Sequence, residues 1–208
     1  MVSSDVDFCS QALRLCRAGA ITSLNTTTDT SNEAEICALF YDDFVEDILT
    51  RYPWTFALKK AALVATTTPV NEWQYAHTYP SEALRLWALY PSSSAGVTPI
   101  NHYDVSGQPG TRVVNSNYET LYAEYTTDVS EANWPGYFSH FAIYAFASLI
   151  ALPVTDDTEL AERLRIAAYG GQNEGERGGK FATATGVDAQ QQPANVVNNS
   201  PLIQARFS

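Results

Sequence analysis

Basic residues, cysteine and histidine are all scarce in this chain, and each scarcity excludes something. Lys and Arg together number 12 against 23 Asp and Glu, a formal charge of −11. Tight nucleic-acid binding depends on cations that neutralise phosphates, so that class is disfavoured. An acidic surface can still border a path along which DNA slides without adhering. The three cysteines, Cys9, Cys16 and Cys37, are an odd number confined to the N-terminal part. On a helix Cys9 and Cys16 share a face two turns apart, too far for a disulfide with each other. None has a second Cys or a His at metal-ligand spacing, so all three read as small buried hydrophobes in a reducing compartment. The N-terminal stretch has no basic region followed by an apolar run, so no secretory signal is expected.

Sequence signatures of catalysis are missing too. His77, His102 and His140 fall in three different predicted elements without HExxH spacing, and each reads as a structural or surface histidine. The glycines between 170 and 179 follow a helix and lack the Lys-Ser/Thr of a phosphate loop. No serine stands in a Gly-x-Ser-x-Gly elbow. No catalytic residue, metal or cofactor is assigned, and a non-enzyme is expected, although triads are defined by geometry and not by sequence.

What the chain does have is apolar and aromatic material. Hydrophobic residues make up 45% and aromatics 12% of 208 residues, enough for one generous domain or a domain with an insertion. The most apolar stretch, 137–152, is greasy on nearly every helical face and interrupted only by Ser139, His140 and Ser148. Such a helix requires either a large core or neighbouring subunits. It is short for a bilayer and lacks flanking basic anchors, so no membrane span is expected.

A first helix is predicted over 4–18, capped by Ser4 with its exit at Gly19. A second starts near Ser31 with a stripe of Ile36, Phe40, Phe44 and Ile48, flanked by Leu39, and ends before Pro53. Alternating aromatics in 73–79 suggest a half-buried strand, and Pro80–Arg85 a helical turn or a bend into the next strand. Further strands are predicted at 100–105, 111–115 and 120–127. Helix returns at 137–152, ended by Pro153, and then a second arm capped by Thr155 runs to Gly170-Gly171. Polar and Gly-rich composition makes 180–208 a segment with no packed core of its own.

The fold class is therefore α+β: an antiparallel helical bundle, an inserted antiparallel β-domain and an extended C-terminal tail. The expected divisions are 1–52 for the N-terminal helices, 53–130 for the β-rich insertion, 131–179 for the helical hairpin and 180–208 for the tail. Apolar anchors in that tail, Phe181, Val196, Val197, Leu202, Ile203 and Phe207, with Arg206, suit a strap that docks on a partner. Tyr137, Phe141, Tyr144 and Ser148 on the apolar helix, and Trp73 and Tyr75 in the β-rich part, are the candidates for contacts between subunits.

Tyr52-Pro53-Trp54-x-Phe56-Ala57, placed after two helices, resembles the head-to-tail adaptors of short-tailed phages, the tail tubular protein A type. So do Trp73-x-Tyr75-x-x-x-Tyr79-Pro80-x-Glu82-Ala83-Leu84-Arg85 and the run from Tyr122 to Trp134 into a closing hairpin. The resemblance spans about 5–169 and rests on packing motifs. It implies a structural virion protein in the neck of the particle, made in the host cytoplasm, with about twelve copies in a ring. Its implied partners are the portal protein, a tail nozzle or tail-tube protein, further copies of itself, and DNA in transit without specific binding. The C-terminal segment would extend along or into the portal. A connector of a long-tailed phage or gene-transfer particle shares these helices and stays open as an alternative. A tail-associated glycan hydrolase would need two facing carboxylates, for which Asp104 and Glu124 on adjacent predicted strands are the candidates. An acidic DNA mimic would instead be a small monomer, which the all-round apolar helix opposes.

Overall fold

The computed structural model describes residues 2–66, 72–94, 96–108 and 110–191. The fold is α+β. Helices Asp5–Leu15 (α1) and Asn32–Thr50 (α2) come first. Among the described residues seven strands follow: Leu58–Ala62 (β1), Ala65–Thr66 (β2), Tyr75–Thr78 (β3), Ala83–Tyr90 (β4), Asp104–Ser106 (β5), Val113–Ser116 (β6) and Tyr122–Thr127 (β7). A 3-10 turn, Glu131–Asn133, then leads to helices Gly136–Thr155 (α3), Thr158–Tyr169 (α4) and Gly179–Ala189 (α5).

Local chemistry sets the helix ends. Ser4 Oγ accepts from the Asp7 amide at 3.2 Å, and Ser31 Oγ from the Ala34 amide at 3.3 Å, as short polar caps do. The exit of α1 differs from the expected Gly19. The left-handed residue is Arg17 (φ 62°), and the Ala18 amide reaches back to the Leu13 carbonyl at 3.0 Å, a Schellman closure. The apolar arm also outruns its expected stop, because α3 continues through Pro153 to Thr155. Pro153 sits in the last turn on the exposed side, where it removes one backbone bond, while Thr155 Oγ1 donates to the Ala151 carbonyl at 2.7 Å. Asp156 then takes the left-handed conformation, and Asp157, not Thr155, caps α4 by accepting from the Leu160 amide at 2.9 Å.

The strands form two antiparallel sheets, β1-β7-β4 and β2-β3-β6-β5. Pro80–Arg85 resolves as the bend: β4 begins at Ala83. The alternation over 73–79 yields the shorter β3, in which Ala76 and His77 are the buried residues and Tyr75 is half-buried. His77 is held inside because its Nε2 lies 3.1 Å from the Glu119 carbonyl oxygen.

Two apolar clusters organise the chain. The larger joins α1, α2, the 52–57 connection, α3, α4 and α5, with Trp54, Trp134, Phe8, Phe138, Phe141 and Phe146 fully buried. The smaller consists of Leu89, Ile100, Val114, Leu121, Ala123 and Tyr125 in the β-rich part. On α2 the buried face is rotated from the expected stripe. Cys37, Tyr41 and Val45 are inside with Phe44 and Ile48, Ile36 and Phe40 are half-buried, and Leu39 is 70% exposed. Tyr41 draws that face inward, since its ring lies edge-on to Phe8 and Phe146 and its hydroxyl donates to Glu131.

The all-round apolar character of α3 is answered within the chain. Helices α1, α2, α4 and α5 all pack against it. By length and composition it could cross a membrane, yet half of its apolar window lies inside the fold.

Candidate functional site

The chain's central junction is the connection between α2 and β1. Trp54 is fully buried there. Its indole N–H donates to the Ile48 carbonyl at 2.9 Å, and its ring packs on Tyr52, Phe56, Phe138, Phe141 and Phe181. Helix α2 ends at Thr50 with Arg51 as its cap, Pro53 prevents its continuation, and Trp54 turns back under that helix's last turn.

Helix α5 is fastened at this junction, which corrects the expectation of an extended tail from 180 onward. Phe181 is half-buried against Trp54 and Phe141, with ring centroids 6.1 and 5.2 Å away, so it is a core contact of its own chain and not a free docking anchor. Ala184 and Asp188 follow on the same face and are buried. Asp188 is completely enclosed. It accepts from the Thr55 amide at 3.1 Å, from Thr55 Oγ1 at 2.7 Å and from the Tyr137 hydroxyl at 2.6 Å. A buried carboxylate without a cation is stable only when hydrogen-bonded in this way. Burial and the bond to Asp188 push the Tyr137 phenol up to about 12. The other expected tail anchors, Val196, Val197, Leu202, Ile203, Arg206 and Phe207, lie outside the described residues.

The candidates for subunit contacts scatter. Phe141 has no exposed surface and packs on Trp54, Tyr169 and Phe181, so it cannot meet a neighbour. Tyr137 is engaged by Asp188 and by Gln191 Nε2 at 3.2 Å. Tyr144 is half-buried, edge-on to His140 and beneath the Lys180 ammonium, 4.2 Å from its ring centre. Trp73 rests on His102, with centroids 4.7 Å apart, and Tyr75 pairs with Ser116 in the β3–β6 ladder. Ser148 bonds its own helix at the Ala145 carbonyl, 2.7 Å away, and borders a concavity.

That concavity is a groove of about 540 Å³ between α2, α3 and α4. Its apolar lining includes Phe40, Leu149, Leu152, Ala161 and Tyr169. Leu149 and Leu152 of α3 are large apolar side chains left 43% and 46% exposed. Charged side chains rim it. Arg51 pairs with Asp47 at 2.7 Å and Glu176 at 3.1 Å, and lies 4.9 Å from the Tyr169 ring centre. Arg165 pairs with Glu162 at 2.8 Å. Asp43 has no ion-pair partner among the described residues.

Catalytic geometry is not assembled at the positions considered. Asp104 and Glu124 stand in different sheets, not on adjacent strands, because β5 pairs with β6 and β7 lies between β1 and β4. Asp104 is exposed, and Glu124 accepts from the Tyr90 hydroxyl at 3.0 Å. Among the described residues no three His, Cys, Asp or Glu side chains converge on a point that could hold a metal. All three cysteines are buried and free. Its contact with Cys37, together with burial, pushes the Cys9 thiol up, and burial raises Cys16 to about 11, so both stay protonated and inert at neutral pH.

Sequence reasoning missed α5, Asp188 and the groove. The signal for α5 was present: Phe181, Ala184 and Asp188 stand at i, i+3 and i+7, one helical face. No protein-family profile matches the chain, and no curated protein matches it.

Proposed function

We propose that the chain is a structural head-to-tail adaptor of a short-tailed phage particle. In this reading it sits between the portal and a tail nozzle or tail-tube protein, about twelve copies form a ring, and the ring encloses the channel through which DNA passes. The observation that carries it is where the resembling motif falls. Tyr52-Pro53-Trp54-x-Phe56-Ala57 forms the junction at which the chain leaves two helices for the strands, and the run ending at Trp134 brings it back to α3. The rings of Trp54, Phe56, Phe138 and Trp134 pack together there, so the motif fixes how the β-rich part is mounted on the helices. An assembly protein that transmits contacts from a portal to a tail needs such a stiff mount and no catalytic group.

The acidity of the chain suits a DNA channel. At −11 per copy, a ring repels the phosphate backbone and lets the genome pass without sticking. The channel-facing surface is then acidic or neutral, and a ring structure lined by a continuous basic band would overturn this. The decisive test is native mass measurement of the protein alone and mixed with the portal protein of the same particle. The reading expects a closed complex of several copies on the portal ring. A protein that stays monomeric and never joins the portal would defeat it.

A further inference from the structure

The groove between α2, α3 and α4 combines an apolar lining with an acidic rim. Phe44 and Ala145 line it nearly enclosed, whereas Leu149 and Leu152 present almost half of their surface to it. Lining residues recur at helical spacing on every wall. On α3 they run from Ala145 to Leu152, about 10 Å of helix, and on α2 from Phe40 to Arg51, about 16 Å. On α4 they run from Thr158 to Tyr169, again about 16 Å. A trough of about two to three turns between helices matches the apolar face of one more helix, whose anchors recur at i, i+3 or i+4, and i+7.

The rim decides the charge of that helix. Asp43, Asp47, Glu162 and Glu176 stand there against Arg51 and Arg165, so carboxylates outnumber guanidinium groups two to one. Both arginines are already engaged, Arg51 by Asp47 and Glu176 and Arg165 by Glu162. Asp43 is exposed and has no ion-pair partner among the described residues, so it is the carboxylate free to meet an incoming cation. A partner bearing carboxylates is repelled here, and one bearing Lys or Arg is drawn in. A second copy of this chain is a poor match, because it carries 23 acidic residues against 12 basic ones.

We propose that the groove between α2, α3 and α4 is a docking site for a basic amphipathic helix of another protein. Apolar anchors of that helix lie over Leu149 and Leu152, and a Lys or Arg beside them meets Asp43. This does not rest on the adaptor reading. A chain that joined no portal would still bind such a helix, and failure of the helix to bind would leave the portal test standing.

The probe is a fluorescein-labelled peptide of about 14 residues, with Leu at i, i+3, i+4, i+7 and i+8 and Lys elsewhere, titrated with the full chain and followed by anisotropy. Binding with a dissociation constant below about 100 µM is expected, and at least tenfold weaker binding when every Lys is replaced by Glu. Leu152→Gln and Asp43→Arg should each weaken binding of the basic peptide at least fivefold. Leu39→Gln and Asp42→Arg make the same changes at exposed positions of α2 outside the groove, and should alter it less than twofold. All four positions are exposed, and circular dichroism checks that each variant remains folded. Equal loss from Asp42→Arg and Asp43→Arg would overturn the proposal, since the peptide would then be sensing overall acidity. So would absence of binding, or equal binding of the Glu peptide. Self-association of the chain that Leu152→Gln abolishes, seen by sedimentation, would also overturn it, because the occupant would then be a second copy.

Discussion

The helical and β-rich parts of this molecule are held together in different ways. The helical part encloses Trp54, Trp134, Phe8, Phe138, Phe141 and Phe146 completely, ring against ring. The cluster at the centre of the β-rich part has six buried apolar residues, of which Tyr125 is the one aromatic ring. It relies more on polar and cation–ring contacts at its surface: the Tyr125 hydroxyl donates to Glu82 at 2.7 Å, and Lys60 and Arg85 lie over Tyr90 and Trp87. Apolar burial is the dominant favourable term in folding, whereas surface contacts contribute little each. The helical part is therefore the rigid base, and the strands form the part that yields first.

The largest effect is expected at the junction. Trp54→Ala removes a fully enclosed indole, its bond to Ile48 and five ring contacts, and should cost about 3–5 kcal/mol in urea unfolding followed by helix circular dichroism. Leu89→Ala in the smaller cluster should cost about 2–3 kcal/mol, at the low end for a buried leucine, because the partly open surroundings can collapse. Hydrogen exchange separates the two parts. Leu89→Ala should speed amides of β4 and β7 far more than those of α3, while Trp54→Ala speeds both. Equal acceleration of both parts by Leu89→Ala would mean a single cooperative unit and dissolve the contrast.

The same contrast governs what the sequence made legible. Helices with sharp chemical ends were readable: Ser4 and Ser31 cap where expected, and Gly170 closes α4. Strands β3, β5, β6 and β7 were placed to within a few residues, whereas β1 and β2 had no counterpart in the sequence reading; the division into two sheets was not legible either, since pairing depends on partners distant in sequence. The greasy helix was recognised, but its covering was not. Four other helices supply it, and one of them, α5, was hidden in a segment whose threonines and glycines disguise a helical face. Phe141 was misjudged for the same reason: from sequence, a core ring and an interface ring look alike on a helix apolar all round. The groove was invisible because α2, α3 and α4 create it together.

A polar fastening inside the aromatic base sharpens the comparison further. Asp188→Ala leaves the Thr55 amide and the Tyr137 hydroxyl without their buried acceptor, and should cost about 2 kcal/mol. The loss should appear as faster exchange across α5 while α1 and α2 keep their protection. If α5 exchanged no faster, Phe181 and Ala184 alone would be holding it.

Tyr137→Phe tests the same fastening more gently, since Asp188 keeps both bonds from Thr55, and about 1 kcal/mol is expected. Its clearer signature is in alkaline solution. Burial and the bond to Asp188 raise Tyr137 from about 10 to about 12, and burial raises Tyr169 and Tyr125 to about 12 as well. Below pH 10 these phenols are neutral in both folded and unfolded chains, so their contribution is complete. As pH rises from about 10 towards 12, the unfolded chain releases protons that the folded chain retains, and stability falls. Tyr137→Phe removes one of the raised phenols, so the variant should lose stability less steeply than the parent across that window. Its deficit at neutral pH should narrow as pH climbs. A constant gap between the two proteins from pH 8 to 12 would mean that Tyr137 ionises as freely in the folded chain as in the unfolded one, and that Asp188 is satisfied by Thr55 alone.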